Sequence, residues 1–202
     1  MELLTKDIAL HKQSYNGSLV DVIEMIEDDG DDVNAIGANG RTPLHRAASG
    51  GHYEICLYLI KMGGDIFIRD RLDRAPIFWA CVGGHFNIVE LLLKRGSYLM
   101  DCSSKGTTVL MAAVTSGSYE TVNLLIKWVE KHSNEYDMSE FLTRADFDGR
   151  DALFYALKKD KAIANLIKIH LNKGTNCFDC FKKIRYRFQG VLEYSYSSAC
   201  CM

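Results

Sequence analysis

Arg41-Thr42-Pro43-Leu44-His45-Arg46-Ala47-Ala48 is followed 33 residues later by Arg74-Ala75-Pro76-Ile77-Phe78-Trp79-Ala80-Cys81, and 33 later again by Thr107-Thr108-Val109-Leu110-Met111-Ala112-Ala113-Val114. Gly51-His52-Tyr53, Gly84-His85-Phe86 and Gly117-Ser118-Tyr119 stand behind these blocks in the same register. The chain's two prolines, Pro43 and Pro76, share one repeat position. A fixed period of this size marks a repeat architecture rather than a conventional core. Two fainter copies flank the three. Leu10-His11 and Asn16-Gly17-Ser18 match upstream at a spacing of 34, and Asp148-Gly149-Arg150-Asp151-Ala152 matches downstream at 43, so ten residues are inserted before it.

Each block reads as one helical hairpin. Proline fixes its own φ and needs no N–H partner, so Pro43 and Pro76 suit a first helical turn, with Thr42 placed to cap it. Leu44, Ala47 and Ala48 fall one turn apart, and the small alanines let a neighbouring helix come close. Gly51, Gly84 and Gly117 end this helix. A second helix carries Ile55, Tyr58, Leu59 and Ile60, repeated as Ile88, Leu91, Leu92 and Leu93 and then as Val122, Leu124, Leu125 and Ile126. Neither helix buries its apolar face alone, so the units must stack into a solenoid.

The period, the Thr-Pro-Leu-His-x-Ala block and the Gly-His pair resemble the ankyrin-repeat family. The expected fold is all-α, a solenoid of stacked helix-turn-helix units with short β-turn or hairpin connections. The expected division is 1–38, a degenerate N-terminal cap; 39–71 and 72–104, two strong repeats; 105–147, a repeat with the insertion; 148–172, a degenerate C-terminal repeat; and 173–202, a tail. Three departures stand out: Val109 replaces the proline, Asp73 replaces the turn glycine seen as Gly40, Gly106 and Gly149, and Asp160 stands where the fourth first-helix glycine belongs.

The whole is 202 residues with a formal net charge of -2, which hides an uneven distribution. Residues 1–40 carry two lysines against nine acids, whereas residues 173–202 carry five basic residues against two acids and six aromatics. No apolar run approaches the roughly 20 residues of a membrane span. The N-terminus lacks the basic start and apolar run of a secretory signal, and seven cysteines do not close a disulfide framework. The expected compartment is therefore the cytoplasm, with nuclear or peripheral membrane placement left open.

The sequence offers little catalytic chemistry. No phosphate-cradling loop, nucleophile elbow or His-Glu-x-x-His pair occurs. His52, Cys56, Cys81 and His85 contain zinc-ligand types, but each has a repeat-position explanation. The acidic run Glu27-Asp28-Asp29-Gly30-Asp31-Asp32 lacks the closing glutamate of a calcium loop. The reading is a non-enzymatic module with no cofactor and no metal.

Ankyrin repeats bind proteins through turn tips and first helices, and the resemblance carries that role to Arg41, Arg46, Arg69, Arg71, Leu72, Arg74, Trp79, Lys105, Phe147, Arg150 and Tyr155. The centre of this set is rich in arginine with one tryptophan, residue types enriched at binding hot spots. It calls for an acidic segment of a partner protein, an adaptor or scaffold role, no nucleic acid, and a chain that is monomeric alone. A regulatory inhibitor of an enzyme or transcription factor fits the same residues. The resemblance also places Asn34, in Asp32-Val33-Asn34, at a turn position that family members can have hydroxylated. The ending Ala199-Cys200-Cys201-Met202 is similar to the double-cysteine tails of some prenylated small GTPases, which makes a membrane-tethered adaptor, lipidated at Cys200 and Cys201 beside a basic tail, the alternative.

Overall fold

A computed structural model describes residues 7–173. Among the described residues there are eleven α-helices: α1 (Ala9–Asn16), α2 (Leu19–Glu27), α3 (Pro43–Gly50), α4 (Tyr53–Lys61), α5 (Pro76–Gly83), α6 (Phe86–Lys94), α7 (Val109–Ser116), α8 (Tyr119–Lys131), α9 (Met138–Thr143), α10 (Ala152–Lys159) and α11 (Lys161–Lys173). An inner row of helices packs in the order α1, α3, α5, α7, α10, and each is paired with an outer helix, α2, α4, α6, α8 or α11. The all-α solenoid expected from the period is what forms.

The inner row closes up because Ala47, Ala80, Ala113 and Ala156, one per helix, are wholly buried at its contacts. A methyl group there lets helix backbones approach, while Leu59, Leu92 and Leu125 fill the layer between inner and outer rows. The turns repeat as faithfully as the helices. Gly37, Asp70, Ser103 and Asp146 each donate their backbone N–H to the residue four on, at 2.8, 3.0, 2.9 and 2.9 Å. These hairpins are then laced together tip to tip: Arg71 N–H donates to Asn39 O, Ser104 to Leu72 O and Phe147 to Lys105 O. A continuous strip of turn tips results, standing beside the inner helices.

The three departures have physical reasons. Val109 at the first helical position keeps an N–H that proline lacks, and Asp101 O accepts it at 3.2 Å. Asp73 adopts the left-handed φ of +61° that Gly40, Gly106 and Gly149 adopt at +74°, +77° and +77°, a conformation aspartate tolerates better than most residues. Asp160 does not terminate α10 in a left-handed turn but lies extended, and its carboxylate accepts from Ala162 N at 2.6 Å to start α11 immediately. The inserted residues lengthen α8 to 13 residues and build α9, whose Phe141 and Leu142 are buried. Arg144 ties this insertion back by donating to Met100 O at 2.8 Å.

At the glycine ending α3 the constraint is double. Gly51 has φ +84°, and a Cβ there would lie 2.5 Å from the His85 ring of the next unit. Gly51→Ala is therefore expected to cost about 2 kcal/mol or more in urea unfolding, because both the left-handed backbone and the displaced imidazole oppose it.

Candidate partner-binding surface

The candidate residues lie on the turn strip and on the inner helices beside it, and one buried carboxylate organises their centre. Asp70, in the turn before α5, has a side chain with no exposed surface. It accepts from the backbone N–H groups of Leu72 at 2.9 Å and Arg74 at 3.1 Å, which fixes the turn. Its Oδ2 accepts from Arg74 Nη2 at 2.8 Å and from Trp79 Nε1 at 3.1 Å. Burial alone would raise this carboxyl. The Arg74 side chain and the two backbone donors outweigh it and hold the group below the ordinary carboxylate range.

Trp79 is thus held by its ring nitrogen, and two guanidinium groups stack on it: Arg41 Cζ lies 3.7 Å and Arg74 Cζ 4.2 Å from the ring centroid. The two arginines are not equivalent. Arg74 is committed to Asp70. Arg41 approaches the same Oδ2 only to 3.7 Å, and its Nε is buried without a hydrogen-bond partner. Burial first, then the charges of Arg46 and Arg74, lower the Arg41 guanidinium, which still remains a cation because arginine is not deprotonated in proteins.

The arrangement recurs two turns later. Asp146 accepts from Arg150 Nε at 2.9 Å and from Tyr155 Oη at 2.6 Å, and Arg150 Cζ lies 5.4 Å from the Tyr155 ring. Burial and then this hydrogen bond push the Tyr155 phenol up to about 12, so it stays a donor. Arg150 also pairs with Asp148. The recurring signal is an Asp, an Arg four residues on and an aromatic nine on. It is present in the sequence at 70/74/79 and 146/150/155, and it becomes visible only when each arginine is taken with the acid four residues before it.

The remaining candidates divide. Arg69 is structural, since it donates to Asp101 Oδ1 at 2.6 Å and to Asp73 O at 3.2 Å. Arg46 pairs with Asp7 at 2.6 Å. Arg71 and Lys105 are exposed and form no ion pair among the described residues, so they are the free cations of the strip. Leu72 is exposed beside them, and Phe147, at 82% exposure, is the most open large apolar side chain among the described residues. The surface is therefore less basic than a count of its arginines suggests: buried or nearby acids neutralise Arg46, Arg69, Arg74 and Arg150.

Asn34 bridges two units: its Nδ2 donates to Gly63 O at 3.1 Å and its Oδ1 accepts from Asp65 N at 2.8 Å. His52 and His85 are likewise engaged with carbonyls of the preceding unit, Tyr15 O at 2.7 Å and Ser49 O at 3.3 Å. Burial raises the thiols of Cys56, to about 12, and Cys81, so both stay protonated. Cys200 and Cys201, with the rest of the tail, lie outside the described residues. No helix among the described residues is long and apolar enough to cross a membrane. Tyr53, Phe86 and Tyr119, each opening an outer helix, are 38%, 44% and 41% exposed, an apolar row that the core periodicity does not reveal.

Comparison with known proteins bears on the repeats themselves. Family models match residues 39–71 as an ankyrin repeat and residues 62–137 as ankyrin repeats in three copies. An ankyrin repeat-containing protein of Schizosaccharomyces pombe is 45% identical over 51 residues, a stretch covering 25% of this chain and 25% of that protein. The match thus spans a quarter of that relative's length, and the relative's name states no partner.

Proposed function

We propose that this chain, which belongs to the ankyrin-repeat family, is a non-enzymatic adaptor that holds an acidic segment of a partner protein against the strip around Arg41, Arg74 and Trp79. Protein binding is the general work of the family; the strip and the charge of the partner are our reading. Residues 39–71, 72–104 and 105–147 form the binding array in this reading, with 1–38 and 148–172 as its caps.

The observation that carries it is the state of Arg41. A guanidinium has five donors; that of Arg41 stacks on Trp79, makes no side-chain hydrogen bond among the described residues, and has its terminal Nη groups left for a planar acceptor that the chain itself does not supply. A partner carboxylate fits, because it accepts two parallel N–H groups while Trp79 and Leu72 offer apolar surface to the residues beside it. Arg71 and Lys105 add long-range attraction along the tips, and Phe147 adds an apolar anchor beyond them.

Arg41→Gln removes the charge without breaking an internal hydrogen bond, so the fold survives. In affinity capture quantified by mass spectrometry, the variant is expected to lose partner affinity by about 30-fold, the effect of a hot-spot arginine, and wild-type binding is expected to weaken as salt is raised. A folded Arg41→Gln protein that retains the same partners at the same strength overturns the proposal.

A further inference from the structure

The turn at Gly37 departs in one respect from the turns built on Asp70 and Asp146. In register, Gly37, Asp70, Ser103 and Asp146 hold one turn position, and Arg46, Trp79, Ala112 and Tyr155 hold one inner-helix position. Where the turn residue is aspartate, its carboxylate accepts from turn backbone and from the helix residue nine positions on. At position 37 the turn residue is glycine, yet both interactions are made. Asp7, which reaches in from before α1, accepts from Ala38 N at 2.9 Å through Oδ1 and pairs with Arg46 Nη2 at 2.6 Å through Oδ2.

The glycine at 37 has a steric reason. Its φ is the ordinary -96°, but a Cβ there would lie 2.6 Å from Asp7 Oδ1 and 2.6 Å from His11 Nε2. The space that a turn side chain would fill is held open for a carboxylate from elsewhere. Its walls are polar: the Ala38 N–H, the Arg46 guanidinium, and the His11 ring, whose Nε2 is engaged with Ala35 O and Arg41 O at 3.0 Å each. Arg46 Nε remains buried and unpartnered there. Lys12, Tyr15 and Asn16 line the open mouth beside it.

We propose that this is a carboxylate-binding site, occupied in cis by Asp7, and that Asp7 stands in for an acidic side chain of the partner at the N-terminal end of the strip. The competition with a partner rests on the reading of that strip given above; the site itself does not. Asp7 precedes the first helix, and its side chain is 23% exposed, so it leaves without unfolding a repeat. Its departure uncovers Arg46 in the same layer as Arg41 and extends the acid-binding surface onto α3.

Chemical rescue tests the site without a partner. Asp7→Ala is expected to melt about 3 °C below wild type. Replacing 300 mM sodium chloride by 300 mM sodium acetate is expected to raise the melting temperature of Asp7→Ala by about 3 °C more than it raises wild type, whose site is filled. This excess is expected to vanish in Asp7→Ala/Arg46→Met. If Asp7→Ala is unfolded in chloride, its refolding in acetate is the supporting result. An equal acetate effect on wild type and Asp7→Ala, or an excess that survives loss of Arg46, overturns the assignment. The Arg41→Gln capture measures a different residue and a different ligand, so the two readings fail separately.

Discussion

Asp70→Ala lowers the unfolding free energy by about 3–5 kcal/mol, and it does so without touching the main apolar core. The side chain carries no exposed surface and satisfies four groups at once: the N–H groups of Leu72 and Arg74, the Arg74 guanidinium and the Trp79 indole. Deleting it leaves the turn without its two backbone bonds and leaves a half-buried cation without its closest counter-charge. Removing one partner of such a pair costs far more than the pair contributes in net terms, because the desolvation of the survivor is no longer offset. Asp70→Asn separates the contributions. The amide still offers one acceptor oxygen, so part of the turn bonding survives while the charge is lost, and an intermediate loss is expected. Urea unfolding at pH 7 measures both, and an Asp70→Ala protein within 1 kcal/mol of wild type removes Asp70 as the organiser of the strip. The same variant frees Arg74 and Trp79 to move, so a partner that depends on their geometry dissociates faster.

This dependence explains what was legible in the sequence and what was not. The solenoid could be read because its determinants are local and periodic: Pro43 and Pro76 start helices, Gly51, Gly84 and Gly117 end them, and Ala47, Ala80 and Ala113 mark the inner contacts. Each is a one-residue statement about backbone or volume, repeated in register. The surface is different, since the meaning of an arginine there is set by which acid reaches it. Arg74 and Arg150 are paired four residues back, at a spacing visible in the chain, but Arg69 finds its closest acid in Asp101 and Arg46 in Asp7, at separations no local pattern reveals. Arg41 looks like the others in sequence and becomes distinct only because the carboxylate nearest to it is already spent on Arg74 and Trp79. The degenerate ends follow the same logic. Asp160 reads as a missing glycine until its carboxylate is seen to start α11, and Gly37 reads as an ordinary turn residue until Asp7 is found in the space beside it.

Acidification is expected to destabilise the array through His45 before Asp70 and Asp146 titrate. His45 is wholly buried in α3, and its hydrogen bonds specify a neutral ring. The backbone N–H of Thr42 can only donate, and it points to Nδ1 at 3.0 Å, so Nδ1 is the acceptor and Nε2 carries the proton that goes to Arg74 O at 3.0 Å. Protonating Nδ1 would set two donors against each other, break the cap of α3, and place a charge where water does not reach. Burial, the largest effect, accordingly lowers this imidazole from 6.5 to about 4; Arg41 and Arg46 act in the same sense, and the Arg74 carbonyl and Asp70 act against it. The sign follows from which state binds the proton. Between about pH 6.5 and 4 the unfolded chain holds a proton on residue 45 that the folded chain refuses, so stability falls as pH falls, by about 2 kcal/mol at pH 5 and about 3 kcal/mol at pH 4. Burial also lowers His11, which adds loss of the same sign, while Asp70 and Asp146, held below the ordinary carboxylate range, withdraw their contribution only at lower pH still. Urea titrations of wild type and His45→Gln at pH 7 and pH 5 isolate the effect. The glutamine variant starts less stable but loses about 2 kcal/mol less between the two pH values, and equal losses in both proteins would show that His45 takes its proton in the folded state after all.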